Sequence, residues 1–285
     1  MYPDVSGTAQ RGGLLQRWET ASILGCELVK VPAEFIKNHA EVKQTGLGLG
    51  SILTEESIPL LYDESRELPE EVRYVLHTEP SLSHRYRFGS SFKPSLKWHD
   101  KDWVNRFVDM TISLSRFLGA PASIVEIHPG DKRNSFENIA SAARSLLDRY
   151  SEEFKMEPVV LVGNSISQCV SSGGDMDQFW NLVCENYPEL RSSMGITLDV
   201  PQLYAATQES FLEELDQIPT ECLKGFQIYS GRHTKVPSLS DPIPWIHVFG
   251  KILSLTGQIA ITPEIRHRKK VQDVLEFCER MIRLA

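Results

Sequence analysis

Imidazole and carboxylate side chains recur at the ends of short apolar segments in this sequence. His77 closes one such segment, and Glu126 and His128 close the next, two residues apart and therefore on one face of an extended strand. Zinc and manganese take these side chains as ligands, so their convergence predicts a divalent-metal site; each histidine alone could instead be an ordinary hydrogen-bonded rim residue. The candidate metal ligands are His77, Glu126, His128, Asp199, His247 and Glu264. Asp199 and Glu264 are also the candidate catalytic residues.

Two basic segments could hold an anion near the same place. The segment 81–99 contains no acidic residue, and its four Lys or Arg side chains are interleaved with aromatic rings. Arginine and aromatic side chains together suit a phosphate backbone and a stacked base or sugar. The candidate phosphate-binding residues are Arg85, Arg87, Arg266 and Arg268. They predict a phosphate-bearing ligand, with DNA included, and the alternative is that both segments are solvated surface.

The apolar segments that carry these residues have the length and composition of buried strands. The predicted strands are 27–32, 72–78, 123–128, 159–162, 195–199, 225–228 and 258–262, with a weaker one at 2–5. Amphipathic patterns predict helices at 14–24, 103–118, 134–154, 175–187, 210–218 and 269–284. Strands that alternate with helices predict a parallel sheet under crossover helices. Eight such units predict a single (β/α)8 TIM barrel over residues 1–285, and a doubly wound open sheet is the alternative.

Composition and charge limit the classes of protein. Lys and Arg number 30 against 38 Asp and Glu, for a net charge of −8, which excludes a globally basic nucleic-acid binder but not a locally basic site. No segment approaches the ~18 unbroken apolar residues of a membrane span. The start of the chain does not have the pattern of a secretion signal. Five scattered cysteines predict neither a disulfide framework nor a cysteine-based zinc site, so we expect a cytoplasmic location.

Several motifs in chain order resemble one family. The segment 124–130, IVEIHPG, is similar to the strand-end His-Pro-Gly of the endonuclease IV family of apurinic-site endonucleases, within the xylose isomerase-like barrels. The segments 160–165 (VLVGNS), 195–206 (GITLDVPQLYAA) and 261–265 (ITPEI) resemble later strands of that family. The resemblance covers roughly residues 70–285. It implies a TIM barrel with metal ligands at His77, His128, Asp199 and Glu264.

Three positions depart from the ligand set that the resemblance implies. Gly163 stands where the family has a metal-bridging glutamate, and Gln202 and Gln227 stand where it has histidines. We therefore expect at most one tightly bound zinc or manganese ion. The leading expectation is a metal-dependent phosphoesterase, a DNA-repair hydrolase similar to the apurinic-site endonucleases, that acts on DNA or a sugar phosphate. The alternatives are a sugar isomerase or epimerase and a non-catalytic relative that binds a phosphate-bearing ligand.

Overall fold

Seven parallel strands form the main sheet of the computed structural model, which describes residues 14–32, 52–56, 58–61, 69–77, 86–88, 91–93, 96–231, 233–265 and 268–285. In chain order the strands of these ranges are β1 (Val29–Pro32), β2 (Tyr74–His77), β3 (Tyr86–Phe88), β4 (Ser91–Lys93), β5 (Ile124–Ile127), β6 (Val159–Gly163), β7 (Met194–Asp199), β8 (Leu223–Ile228) and β9 (Ala260–Pro263). The main sheet has the order β1-β2-β5-β6-β7-β8-β9, whereas β3 and β4 form a separate antiparallel hairpin.

Neighbouring strands of the main sheet are consecutive along the chain apart from the hairpin, and every pairing is parallel. The predicted adjacency of segments 72–78, 123–128, 159–162 and 195–199 is therefore confirmed. The register places His77 opposite Glu126, so polar residues at the ends of β2 and β5 become neighbours. Since all the strands run in one direction, their carboxyl ends meet at one end of the sheet.

The helices of the described ranges connect and cover these strands. They are α1 (Leu14–Ile23), α2 (Ile58–Leu61), α3 (Lys101–Leu118), α4 (Phe136–Phe154), α5 (Gly173–Asn186), α6 (Val200–Thr207), α7 (Phe211–Gln217), α8 (Trp245–Ser254) and α9 (Val271–Leu284). Side chains cap several N-termini: Asp100 caps α3, Ser135 caps α4 and Ser172 caps α5. The six predicted helices are confirmed to within a few residues at each end, but α2, α6 and α8 were not predicted.

The main sheet curls around a common interior. Lys30 in β1 contacts both Glu126 in β5 and Glu264, which follows β9. One side chain can reach both carboxylates only if the two edge strands approach each other across the interior. The parallel strands and crossover helices confirm the predicted α/β class. The predicted strand at 2–5 lies outside the described residues, so closure by eight strands stays a prediction.

The cysteines and the helices bear on two expectations from the sequence, which concern disulfides and membrane spans. All five cysteines lie in the described ranges, and none is part of a disulfide. Among the helices of those ranges, none is both long enough and apolar enough to cross a membrane.

Candidate active site at the carboxyl ends of the strands

A buried ion cluster occupies the interior near the carboxyl ends of β1, β2, β5 and β9. Lys30 is fully buried, and its Nζ lies 3.2 Å from Glu126 Oε2 and donates a hydrogen bond to Glu264 Oε1. The same Glu126 oxygen lies 2.9 Å from His77 Nδ1. Burial alone would raise the pKa of Glu126, but the Lys30 charge and the contact with His77 outweigh it and lower that pKa. Glu126 is therefore a carboxylate at neutral pH.

His128 is held in place by its backbone, whereas its ring is unbound. Trp98 Nε1 donates to the His128 carbonyl at 2.9 Å. Gly130 has a φ of 72°, and a Cβ there would lie 2.4 Å from Asn134 Nδ2, so the His-Pro-Gly turn requires this glycine. Both ring nitrogens are buried and have no hydrogen-bond partner among the described residues. Burial and the nearby charges of His77 and Lys30 keep the pKa of His128 well below its usual value, so the ring is neutral.

Gly163 leaves room beside that ring. A Cβ built on Gly163 would lie 3.8 Å from His128 Nδ1 and 3.6 Å from Thr197 Cγ2, which are ordinary contact distances. Thr197 turns its methyl group towards Gly163, and its hydroxyl, which is buried without a hydrogen-bond partner in the described part of the chain, lies towards Gly225 on β8. Unpartnered buried polar atoms are costly in a folded protein, so a group placed beside Gly163 is expected to satisfy the His128 ring.

Asp199 lies where β7 passes into α6, in a different environment from Glu126. Its Oδ1 accepts from the Gln202 backbone at 2.9 Å, which caps α6, and its Oδ2 accepts from the Tyr229 hydroxyl at 3.0 Å. Burial, followed by the charge of Glu264, raises the pKa of Asp199 well above its usual value. Asp199 is therefore driven towards its protonated form.

Tyr229 and His233 link Asp199 to Glu264. The two rings stack with centroids 3.8 Å apart, and His233 Nδ1 lies 3.5 Å from Glu264 Oε2. Burial raises the pKa of Tyr229, so its hydroxyl stays a hydrogen-bond donor. Asp199, which is driven towards protonation, thus lies near Glu264, which accepts a hydrogen bond from the Lys30 ammonium.

The expected divalent metal does not fit this arrangement. Lys30 already contacts Glu126 and Glu264, and Glu126 is also paired with His77. Within the described ranges, no three His, Cys, Asp or Glu side chains come close enough together to hold a metal ion. A single zinc or manganese ion on the predicted ligands is thus disfavoured, because an ammonium competes for the same oxygens.

The structure brings some of the predicted site residues together and places others elsewhere. Five of the six predicted ligands lie at the carboxyl ends of strands, and His77 and His128 approach with ring centroids 5.2 Å apart. The sixth, His247, is exposed on α8. Arg85 and Arg266 lie outside the described residues, and of Arg87 and Arg268 only the backbone is described, in β3 and in a short 3-10 helix.

Sequence reasoning missed Lys30 and Tyr229. The signal for Lys30 was present, because a lysine between Val29 and Val31 in an apolar strand has to be buried with a partner. Gln202, assigned as a lost metal ligand, has a structural contact instead: its Oε1 accepts from the Ile166 backbone at 3.1 Å and so fastens the loop after β6.

A separate cavity of about 590 Å³ lies at the opposite end of the sheet. Its lining includes the starts of β5, β6 and β9, together with Glu27 and Arg73, and none of the ion-cluster residues. We place the candidate site at the carboxyl ends because the ionisable side chains with perturbed pKa values converge there.

Comparison with known proteins identifies the class of fold. No protein-family model matches the sequence, and no curated protein sequence is similar to it. The fold is similar to that of a xylose isomerase domain containing protein from Salmonella typhimurium, at 9% identity with a TM-score of 0.55, over 99% of this chain and 96% of that one. An L-ribulose 3-epimerase is similar at 9% sequence identity with a TM-score of 0.61, and the match covers 99% of this chain and 94% of that one.

Two further solved structures show the breadth of that class. An AP endonuclease, family 2, from Brucella melitensis matches at 12% identity with a TM-score of 0.56, over 98% of each chain. The IolI protein with a bound zinc atom matches at 12% identity with a TM-score of 0.54, over 99% of this chain and 95% of that one. Identities this low establish a shared fold and leave the chemistry to be argued from the site.

Proposed function

We propose that this chain is an enzyme that isomerises or epimerises a sugar or sugar phosphate by moving a proton beside a carbonyl group. Asp199 and Glu264 are its acid–base pair. The observation that carries the proposal is the unlike environment of these two carboxyls: the pKa of Asp199 is raised, whereas Glu264 accepts a hydrogen bond from Lys30. Pairs of carboxyls held in unlike environments are typical of acid–base sites.

Each carboxyl has one role in the reaction. Glu264, as a carboxylate, removes the proton from the carbon beside the carbonyl group. Asp199, as a carboxylic acid, donates its proton to the carbonyl oxygen or to the opposite face of the same carbon. In an isomerisation, Glu264 then gives its proton to the former carbonyl carbon while Asp199 regains a proton from the hydroxyl on the neighbouring carbon, so both groups are restored. In an epimerisation, both groups are restored by proton exchange with water after the product leaves. Tyr229 keeps Asp199 oriented through its hydroxyl donor.

The open space beside Gly163 is the binding place for a ligand hydroxyl. A neutral imidazole offers one donor and one acceptor, and both His128 nitrogens lack partners in the described chain. A sugar hydroxyl can both donate and accept, so one bound beside Gly163 would pair with His128 Nδ1, which lies 3.8 Å from a Cβ built on that glycine. The fold shared with an L-ribulose 3-epimerase supports the same class of ligand.

The phosphate group of the ligand remains a prediction from the basic segments. The candidates Arg85, Arg87, Arg266 and Arg268 would bind it. The metal-dependent phosphoesterase is the less favoured function, because hydrolysis of a phosphodiester in that class relies on metal-bound water and Lys30 contacts the carboxylates that would hold the metal.

The test is proton exchange with solvent. A panel of aldoses, ketoses and their phosphates is incubated with the protein in D2O, and proton NMR follows the loss of carbon-bound hydrogen and the appearance of the isomer. We expect one class of sugar to exchange, with Asp199→Asn and Glu264→Gln each slower by about 100-fold or more. The matched control is Glu153→Gln on the surface of α4, paired with Arg116, which should match wild type. Exchange with none of the sugars, or exchange at full rate in both variants, would refute the proposal.

A further inference from the structure

His233 is the part of the network between Asp199 and Glu264 that reaches the solvent. Asp199, Tyr229 and Glu264 are buried, whereas 28% of the His233 side chain is exposed. We propose that His233 is a ligand-contacting residue, whose ring hydrogen bonds to one oxygen of the sugar and so helps to determine which sugar binds. This inference rests on the proposed function, because it names a further residue of the same site.

The backbone of His233 has a conformation that needs support from its neighbours. Its φ of 64° lies in the left-handed region, which residues with a side chain rarely adopt. Ser230 and Lys235 exchange two backbone hydrogen bonds of 3.2 Å on either side of it, and Lys270 Nζ donates to the Thr234 carbonyl at 2.8 Å. Backbone strain of this kind persists where the surrounding structure fixes it, and it is concentrated at active sites and ligand-binding places. The loop after β8 therefore holds His233 in a conformation that suits a binding role.

The ring of His233 contacts Tyr229 and Glu264, and these contacts leave one edge available. One face stacks on Tyr229 with centroids 3.8 Å apart, and Nδ1 lies 3.5 Å from Glu264 Oε2. Nε2, on the other edge, has no hydrogen-bond partner among the residues that the structure describes. The ring is thus fixed beside the carboxylate that removes the proton in the proposed reaction, with one nitrogen free for a ligand.

The chemistry of the ligand gives this free nitrogen a role. A sugar whose reacting carbon lies at Glu264 carries a carbonyl group on a neighbouring carbon and hydroxyl groups close by. Asp199 donates to the carbonyl oxygen in the proposed reaction, and His233 Nε2 binds one of the hydroxyls, as a donor or as an acceptor. A site that hydrogen bonds a ligand hydroxyl discriminates strongly against an analogue without it. His233 therefore distinguishes sugars by a hydroxyl near the reacting carbon.

Two variants and one control separate the ring from the loop that carries it. His233→Phe keeps an aromatic ring to stack on Tyr229 but removes both nitrogens, and His233→Gly removes the ring and relieves the left-handed backbone. The matched control is Lys155→Gly, because Lys155 also has a left-handed φ, 53°, but lies at the exposed C-terminal end of α4.

The probes are L-ribulose, D-fructose and their phosphates, together with single-deoxy analogues that lack one hydroxyl in turn. Calorimetry on the full chain measures their dissociation constants. Deuterium exchange in D2O measures kcat and KM for those that react.

We expect wild type and Lys155→Gly to bind the same sugar with equal affinity. His233→Phe should bind it about 10-fold more weakly, through the loss of one hydrogen bond, and its KM should rise by a similar factor while kcat changes less. One deoxy analogue should bind wild type about 10-fold more weakly than the parent sugar, yet bind His233→Phe as tightly as the parent sugar does. A purely structural role of His233 would lower the affinity for all analogues alike. His233→Gly should show the same loss, which keeps the test valid if His233→Phe does not fold.

The inference and the proposed function fail in different ways. If both His233 variants bind and exchange the sugar as wild type does, or if they keep the penalty for every deoxy analogue, the inference is wrong and the proposed function stands. If the sugar binds without exchange, and binds the His233 variants more weakly, the proposed function is wrong and His233 still contacts the ligand. If wild type binds none of the probes, both are wrong.

Discussion

The carboxyl end of the sheet has two sides that differ in how fully their polar groups are satisfied. On the paired side, Glu126 contacts both Lys30 and His77, and Lys30 also contacts Glu264. On the open side, the His128 ring and the Thr197 hydroxyl have no hydrogen-bond partner in the described chain. Buried polar side chains therefore have partners within the protein on one side and lack them on the other. We infer that the paired side keeps the buried charges balanced and that the open side contacts the ligand.

Removing Lys30 should have the largest effect on stability. Lys30→Met leaves two buried carboxylates without their cation and is expected to cost about 3–5 kcal/mol at neutral pH. Lys224→Met, which removes only two hydrogen bonds to backbone carbonyls near the surface, should cost about 1 kcal/mol. Urea denaturation in EDTA measures both. Equal losses in the two variants would show that the paired side is not an ion cluster.

The two histidines provide the next test. His77→Leu removes the partner of Glu126 and should cost about 1–3 kcal/mol, whereas His128→Leu removes a ring with no partner and should be near neutral or stabilising. Chemical denaturation of both variants at pH 7 measures the difference. A greater loss for His128→Leu would mean that the open side is already satisfied within the protein.

Gly163 on β6 faces open space, whereas Gly225 on β8 is closely packed, so an added methyl group should have opposite effects at the two positions. Gly225→Ala should cost about 1–3 kcal/mol, because its Cβ would lie 2.6 Å from Thr197 Oγ1. Gly163→Ala should instead stabilise the fold by about 0.4–1 kcal/mol, since the added Cβ meets nothing closer than 3.6 Å. If Gly163→Ala also weakens sugar binding without loss of stability, the open side is the ligand-binding place. Comparable destabilisation by both substitutions would contradict the space beside His128.

The smallest expected effect is a pH-dependent one at Asp199. Its folded pKa is raised, so its contribution to stability is present below the unfolded pKa and is lost as pH rises through the folded pKa. Asp199→Asn keeps the cap of α6 and cannot ionise, and so should gain stability relative to wild type as pH rises from weakly acidic to weakly alkaline. Thermal unfolding across that range measures the trend. A difference that is constant with pH would show that Asp199 is ionised throughout.

Much of the fold could be predicted because local pattern determines it. The apolar strand segments 72–78 and 195–199 end in His77 and Asp199, and the parallel topology alone places both residues at the same end of the sheet. Helix α8 was missed although its pattern is amphipathic, with Trp245, Val248, Phe249 and Ile252 buried on one face.

The candidate site was only partly predictable, since its central contact joins residues far apart in the chain. Lys30 and Glu264 are 234 residues apart, and nothing local indicates that one neutralises the other. A ligand set carried over by resemblance names the carboxylates but cannot show which cation they face. The buried lysine in an apolar strand was the one local sign, and its partner needed the curled sheet to be identified.

The most direct test of the central claim is deuterium exchange into the sugar in excess EDTA. If Lys30 supplies the positive charge and Asp199 with Glu264 moves the proton, exchange should continue at the same rate in EDTA and fall by about 100-fold in Asp199→Asn. Exchange that disappears in EDTA and returns with added zinc or manganese would contradict the account, because the site would then depend on a metal despite Lys30.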